Sequence, residues 1–128
     1  MKALFSFLCV LLVWPLMAQQ PTYTEQQKTD HLILFVRSLK GATFIRNGSE
    51  HTPEAAADHL QYKREKAGSR LKTARDFIDK VATSSSMSGT PYMIRFANGK
   101  EFPASMVLTN ELNKLEAGKV ALLPNNKQ

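Results

Sequence analysis

The single cysteine of this chain restricts how the chain can be stabilised. Cys9 lies inside an almost wholly apolar segment, residues 3–17, which follows Met1 and Lys2 and precedes Ala18. A short basic start followed by an apolar stretch and a small residue is typical of a cleaved export signal. Cutting after Ala18 leaves 110 of the 128 residues and no cysteine. The mature domain is therefore expected to rely on its hydrophobic core alone, without disulfides or cysteine-ligated zinc.

A membrane anchor is the alternative interpretation of the same segment. The apolar run is shorter than the roughly 20 residues that span a bilayer, and Pro15 interrupts its end. Phe7 and Leu8 precede the cysteine, where a lipid-attachment site needs small residues. We therefore expect a signal peptide at residues 1–18 and a protein that is periplasmic or secreted, without a membrane span after cleavage.

Export also limits the partners that a net positive charge could bind. Removing Lys2 takes away one of 17 basic residues and leaves 11 acidic ones, so the formal net charge falls from +6 to +5. Charges of both signs are interleaved in residues 63–66 and 75–80, which is typical of a solvated surface. If the basic excess has a partner, we expect an envelope protein or an anionic ligand, and no nucleic acid.

Apolar spacing and turn residues predict alternating helices and hairpins. Thr24 and Gln27 can form a capping box ahead of apolar residues at helical spacing, and Gly41 is placed to end this first helix. Asn47-Gly48 suits a type I′ turn between two short strands, because both residues tolerate positive φ. A helix and a hairpin are therefore expected before residue 52.

Two helices are expected after this hairpin. Thr52 is a suitable N-cap for a helix over residues 53–67. A further helix contains the apolar residues between positions 71 and 81, with Ser69 or Thr73 as its cap. A serine-rich loop then interrupts the periodicity.

A second hairpin follows the loop. Alternating apolar residues over 92–96 predict a half-buried strand, and an Asn-Gly pair turns the chain again. A three-residue loop at 98–100 would set Phe102 opposite Phe96, whereas a two-residue turn would set it opposite Arg95. We predict the former, because it keeps both aromatic rings on one face.

The last helix completes the fold prediction. Ser105 is expected to cap a helix that buries three leucines and stops at Gly118. The resulting order predicts an α+β fold, with four helices and two short β-hairpins in one compact domain. The domain is expected to span residues 19–118 and to be followed by a flexible tail at residues 119–128.

The helix over residues 53–67 carries a basic pair on its apolar side. At about 100° per residue, Lys63 falls among the apolar positions, and His59, one turn earlier, borders them. Such a local inconsistency tends to mark a functional position. The alternative is that the Lys63 stem lies along the core while its ammonium group reaches water.

Two functions of different classes fit these residues. One is a non-enzymatic binding module without a cofactor, and its candidate binding residues are Arg46, Asn47, His51, His59, Lys63, Ser85 and Tyr92. The other is a hydrolase or transferase in which a serine of Ser84–Ser88 is the nucleophile and His59 or Lys63 the base, at about 3 Å from each other. No catalytic residue is assigned. No metal site is predicted, because the histidine spacing fits no standard zinc motif.

Four stretches of the chain carry a resemblance to known proteins. FIRNGSEHT, DHLQYK, TARDFIDKVATSSSMSG and PYMIRF occur in this order between Glu25 and Phe96. Together they resemble the YfeK-like family of small exported bacterial proteins of unknown function. The resemblance implies a single exported domain in the periplasm, and it implies no reaction, cofactor or catalytic residue.

Overall fold

In the computed structural model of the protein, which describes residues 12, 13, 15 and 22–125, regular structure begins with a capped helix. The Thr24 hydroxyl accepts a hydrogen bond from the Gln27 amide, and the Gln27 side chain accepts one from the Thr24 amide. The predicted capping box is therefore confirmed, and helix α1 covers Glu25–Ser38. Cys9 and, apart from three positions, the predicted signal peptide lie outside the described residues.

Three further α-helices and four short strands follow α1 within residues 39–125. The strands are β1 (Thr43–Arg46), β2 (Ser49–His51), β3 (Met93–Arg95) and β4 (Glu101–Pro103). The helices are α2 (Pro53–Ala67), α3 (Ala74–Phe77) and α4 (Ala104–Glu116). A 3₁₀ turn, Gly68–Arg70, follows α2, and α3 continues as a π-helical turn, Ile78–Ala82. This content confirms the predicted α+β fold. Among the described helices, none is both long and apolar enough to cross a bilayer.

Capping side chains set the starts of α2 and α3. The Thr52 hydroxyl accepts a hydrogen bond from the Ala55 amide, as the sequence predicts. Thr73 forms a capping box with Asp76, so Thr73 and not Ser69 caps the helix that follows α2. Both helix starts are therefore fixed by local hydrogen bonds.

The two hairpins join in one antiparallel sheet with the strand order β2-β1-β3-β4. Both residues of the Asn47-Gly48 turn have positive φ, +51° and +76°, and Arg46 pairs with Ser49 across the turn, as predicted. β1 also pairs with β3, which sets Phe44 opposite Ile94. This second pairing brings the first hairpin beside the strand that follows the serine-rich loop.

The predicted register of the second hairpin is wrong by two residues. Phe102 lies opposite Ile94 and not opposite Phe96. The three-residue loop begins one residue earlier than predicted, so that Gly99, with φ of +83°, occupies its last position. Phe96 and Phe102 nevertheless share a face, with ring centroids 6.0 Å apart, because a two-residue shift preserves the alternation of side chains.

The predicted N-cap of α4 is also wrong. The helix begins at Ala104 after Pro103, which makes no side-chain cap, and Ser105 is already inside the helix. The Ala104 amide donates to the Tyr92 carbonyl at 2.8 Å, so the segment before β3 supplies the acceptor that a capping side chain would provide. The predicted stop is confirmed, since Gly118 has φ of +71° just beyond the helix.

One cluster of apolar side chains fills the space between the helices and the sheet. Large, almost fully buried members come from α1, from α3 with its π-helical turn, from α4 and from β3: Leu32, Val36, Phe77, Ile78, Val81, Ile94, Leu108 and Leu112. Leu115 is also buried, so the predicted burial of the three leucines of α4 is confirmed. The sheet therefore packs against the helices through β3.

A buried histidine connects the segment after α4 to α1. His31 is 2% exposed, and its Nε2 lies 2.9 Å from Oε1 of Glu111. Its Nδ1 accepts a hydrogen bond from the Leu123 amide at 3.0 Å. Because an amide can only donate, Nδ1 carries no proton, and Nε2–H donates to the carboxylate. Part of the segment that the sequence predicts to be a flexible tail thus contacts α1.

Replacing Ile94 by alanine should destabilise the whole domain. Its side chain is 0% exposed in a strand with neighbours on both sides, so the loss of apolar burial and the resulting cavity should lower the free energy of unfolding by about 2–5 kcal/mol. Met87→Ala is the control, because Met87 is 98% exposed. Urea unfolding followed by circular dichroism measures both variants, and equal stability of the two would contradict this core.

Candidate functional site

Lys63 is half-buried, and its ammonium group points toward the π-helical turn and Tyr92. Nζ donates to the carbonyls of Val81 and Ser84, at 2.9 and 3.1 Å, and to the Tyr92 hydroxyl at 3.1 Å. An ammonium group has three protons, and each has an acceptor here. The two carbonyls lie at the end of the π-helical turn, where free carbonyls carry partial negative charge. Lys63 as a whole is half-buried, and its ammonium group is bound by these three protein acceptors.

His59 lies one turn before Lys63 and contacts the first hairpin. Nη1 of Arg46, the last residue of β1, lies 2.8 Å from both ring nitrogens of His59. The Tyr92 hydroxyl lies 3.4 Å from Nε2 of the same ring, and the two rings meet edge to face at a centroid distance of 6.2 Å. Tyr92 thus contacts both His59 and Lys63.

The environment of His59 favours the neutral imidazole. Burial lowers the pKa of His59 below its ordinary value of 6.5, and the positive charges of Arg46 and Lys63 lower the pKa further, as does nearby His51. A guanidinium group can only donate, so the imidazole must offer it an unprotonated nitrogen. His59 therefore serves as a neutral acceptor that orients Arg46.

The Asn47 side chain connects the first hairpin to the serine-rich loop. Its Nδ2 donates to Oγ of Ser85 at 3.2 Å, and its Oδ1 accepts a hydrogen bond from Oγ of Ser88 at 2.5 Å. Within the described residues, no hydrogen bond joins a serine hydroxyl of this loop to His59 or Lys63. These contacts therefore do not support the hypothesis of a serine nucleophile with His59 or Lys63 as its base.

A partly open cavity of about 140 Å³ lies between α2 and the sheet, next to the His59 contacts. Its wall is mainly apolar, and includes Val36, Phe44, Leu60, Ala82, Ala104 and Leu108. The polar side chains that line it are those of Arg46, His51, His59 and Tyr92. An engineered cavity of about 150 Å³ holds benzene, so this cavity has room for one ring or a short branched alkyl group.

His51 has a buried ring nitrogen without a partner. His51 is the last residue of β2 and lines the cavity. Its Nε2 makes no hydrogen bond to any described protein atom. Buried polar atoms are paired in most folded proteins, and an exception calls for an explanation. A ligand in the cavity could supply the missing acceptor or donor.

The structure gathers the seven sequence-predicted residues around one region. Four of them line the cavity, Lys63 reaches it through Tyr92, and Asn47 and Ser85 contact each other at the neighbouring loop. Sequence reasoning missed the apolar wall, because its large members look like ordinary core positions. Four alanines, Ala55, Ala56, Ala82 and Ala104, also line the cavity, and no local pattern in the sequence shows that they come together.

The part of the chain that the structure describes contains no group of three or more histidine, cysteine, aspartate or glutamate side chains that could hold a metal ion. His51 and His59 line the same cavity, but a zinc site needs at least three protein ligands.

Comparisons with known proteins show relatedness and name no activity. The model of the "Family of unknown function (DUF5329)" matches residues 23–116. The chain is 36% identical over 91 residues to the "Uncharacterized protein YfeK" of Salmonella typhimurium, an alignment that covers 71% of this chain and 75% of that protein. This supports the resemblance to the YfeK-like family. No solved structure matches the chain significantly.

The titration of His59 should report its contact with Arg46. We expect the wild-type pKa of His59 to lie below 6.5, and Arg46→Gln to raise it, because this substitution removes one nearby positive charge. NMR of the imidazole protons over a pH series measures both values, with Arg75→Gln on α3 as the control. Since the unfolded chain binds this proton more tightly, folding stability should also fall as the pH drops below 6.5. A wild-type pKa at or above 6.5 would contradict the contact.

Proposed function

We propose that this chain, which belongs to the DUF5329 family of unknown function, is a non-enzymatic module that binds a small anionic ligand at the cavity. The apolar body of the ligand would occupy the cavity, and its negative group would lie against Arg46 and His51. The observation that carries this proposal is the unpartnered Nε2 of His51, buried in the wall of a cavity that an arginine also lines.

Arg46 supplies the charge that the proposal requires. Among the described residues it makes no ion pair, and its side chain hydrogen-bonds only through Nη1, to the neutral His59. Its Nε and Nη2 groups are thus left as donors with a fixed orientation. A carboxylate is a suitable acceptor, because the planar guanidinium group matches carboxylate geometry.

The cavity limits the size of the ligand. Typical sites for drug-sized molecules measure about 300–1,000 Å³, and this cavity of about 140 Å³ is smaller. Its apolar wall with a few polar groups is the composition expected of a binding site. A monocarboxylate with one ring or a short branched chain fits both the volume and the charge.

The proposal also places the protein outside the cytoplasm, in the periplasm or secreted. Its support is the sequence of residues 1–18, with Lys2 ahead of an apolar run and Ala18 before the first polar residues. The ligand or partner would then belong to the cell envelope or its surroundings. The serine-dependent alternative is not preferred, since Ser85 and Ser88 hydrogen-bond to Asn47.

A titration with benzoate tests this function. Benzoate joins one ring to one carboxylate, and benzamide is its uncharged counterpart. We expect benzoate to shift the backbone amide NMR signals of Arg46, His51 and Ala56, with a Kd of about 1 mM or lower. Arg46→Gln should weaken binding by about tenfold or more, because it removes the charge.

Two variants make this titration specific. Arg75→Gln on α3 removes an equal charge at a residue that does not line the cavity, and it should leave the Kd unchanged. Ala56→Leu fills the cavity without removing a charge and should prevent binding. Equal binding of benzamide, or equal effects of the two arginine substitutions, would overturn the proposal.

A further inference from the structure

A second concave surface lies on α2, between its C-terminal half and the π-helical turn. This cleft has a volume of about 580 Å³, and its polar lining consists of Tyr62, Lys63, Lys66, Arg70, Lys80 and Ser86. No aspartate or glutamate is among its lining residues. Four positive charges thus surround one depression, which we call the cationic cleft.

The cations of the cleft lack the ion pairs that hold some positive charges elsewhere on the surface. Ion pairs hold several other arginines, since Arg37 contacts Asp58 and Arg64 contacts Asp30. Within the described residues, no carboxylate lies within 4.0 Å of a charged nitrogen of Lys66, Arg70 or Lys80. A concave surface with one sign of charge concentrates the electric field and attracts counter-ions.

Contacts with neutral groups hold these cations in place. Nζ of Lys80 donates to the Arg70 carbonyl at 3.3 Å, and Nε of Arg70 donates to the Ala67 carbonyl at 3.2 Å. Nζ of Lys66 lies 5.4 Å from the ring centroid of Tyr62, whose side chain is 57% exposed. The positive charges are therefore ordered but not neutralised.

We propose that the cationic cleft binds an acidic oligosaccharide, a short sugar chain whose units carry carboxylates. Several cations from successive turns of the chain suit a ligand with several spaced negative charges. A volume of about 580 Å³ is within the range of small-ligand sites, and an exposed tyrosine and a serine in the lining offer a ring and hydroxyl groups to a sugar.

Two other polyanions fit the cleft less well. Single-stranded nucleic acid is bound through several aromatic side chains on which successive bases stack, and this cleft has one aromatic lining residue, Tyr62. A bilayer presents its headgroups in a plane, whereas a concave cleft receives a chain. The sugar chain is therefore the partner that the surface favours.

The cationic cleft is independent of the cavity proposed above. The residues that line the two sites do not overlap. Lys63 is the only described cation of the cleft that also reaches a cavity residue, and its ammonium is bound by Val81, Ser84 and Tyr92. Loss of benzoate binding would leave this inference intact, and the reverse also holds.

Isothermal titration calorimetry with a hexamer of galacturonic acid tests the inference. The hexamer should bind the wild-type protein, and binding should weaken as salt is raised, because exposed charges are screened. The triple variant Lys66→Ala, Arg70→Ala, Lys80→Ala should bind at least about tenfold more weakly. Lys66→Glu alone should also weaken binding, and it leaves the backbone contacts of Arg70 and Lys80 in place.

The control is a second triple variant with the same change in net charge. Lys100→Ala, Lys114→Ala and Lys119→Ala remove three exposed lysines that do not line the cleft, and this variant should bind like the wild type. Equal losses in the two triple variants would show attraction by net charge alone and would overturn the inference. Equal binding of uncharged maltohexaose, or tighter binding of a six-nucleotide single-stranded DNA, would also overturn it.

Discussion

The three hydrogen bonds of the Lys63 ammonium group, together with the buried side chains of Ala57 and Leu60, fix the rotation of α2 about its axis. A positive charge on the apolar side of a helix is costly unless acceptors surround it. Here the acceptors are two carbonyls at the end of the π-helical turn and the Tyr92 hydroxyl, which come from two other parts of the fold. With this rotation set, His59 has to face Arg46 and the sheet, because it lies one helical turn before Lys63.

Helix α2 therefore contributes to two sites of different chemistry. The cavity is small and mainly apolar, and it would select a ligand by the shape of its apolar part and by one negative charge. The cationic cleft is larger and open to solvent, and it would select a ligand by the number and spacing of charges. Salt should weaken binding at the cleft more than at the cavity, because exposed charges are screened more strongly than partly buried ones.

The sequence predicts those features whose partners lie a few residues away. Thr24, Thr52 and the Asn47-Gly48 turn act through bonds within their own segment, and the structure contains all three as predicted. The prediction that Ser105 caps α4 is wrong because the acceptor at the start of this helix is the carbonyl of Tyr92, which is distant in the sequence. Helical periodicity likewise placed His59 and Lys63 on the inner side of α2, but it did not give the residues that they contact.

The cavity depends on contacts between distant segments, so the sequence indicates its polar residues but not how they come together. The pairing of β1 with β3 brings Arg46 and His51 to the same cavity as Tyr92, and no local pattern specifies this pairing. Three cations of the cleft, Lys63, Lys66 and Arg70, follow one another at helical spacing, and Lys80 joins them because the π-helical turn packs on α2.

A double-mutant cycle between Lys63→Met and Tyr92→Phe tests the central contact most directly, with the free energy of unfolding measured for each single variant and for the pair. We predict that Lys63→Met lowers the free energy of unfolding. The loss in the double variant should be smaller than the sum of the losses in the two single variants by about 1–3 kcal/mol, as for a hydrogen bond to a charged group. Additive effects, together with a Lys63→Met variant as stable as the wild type, would contradict the account.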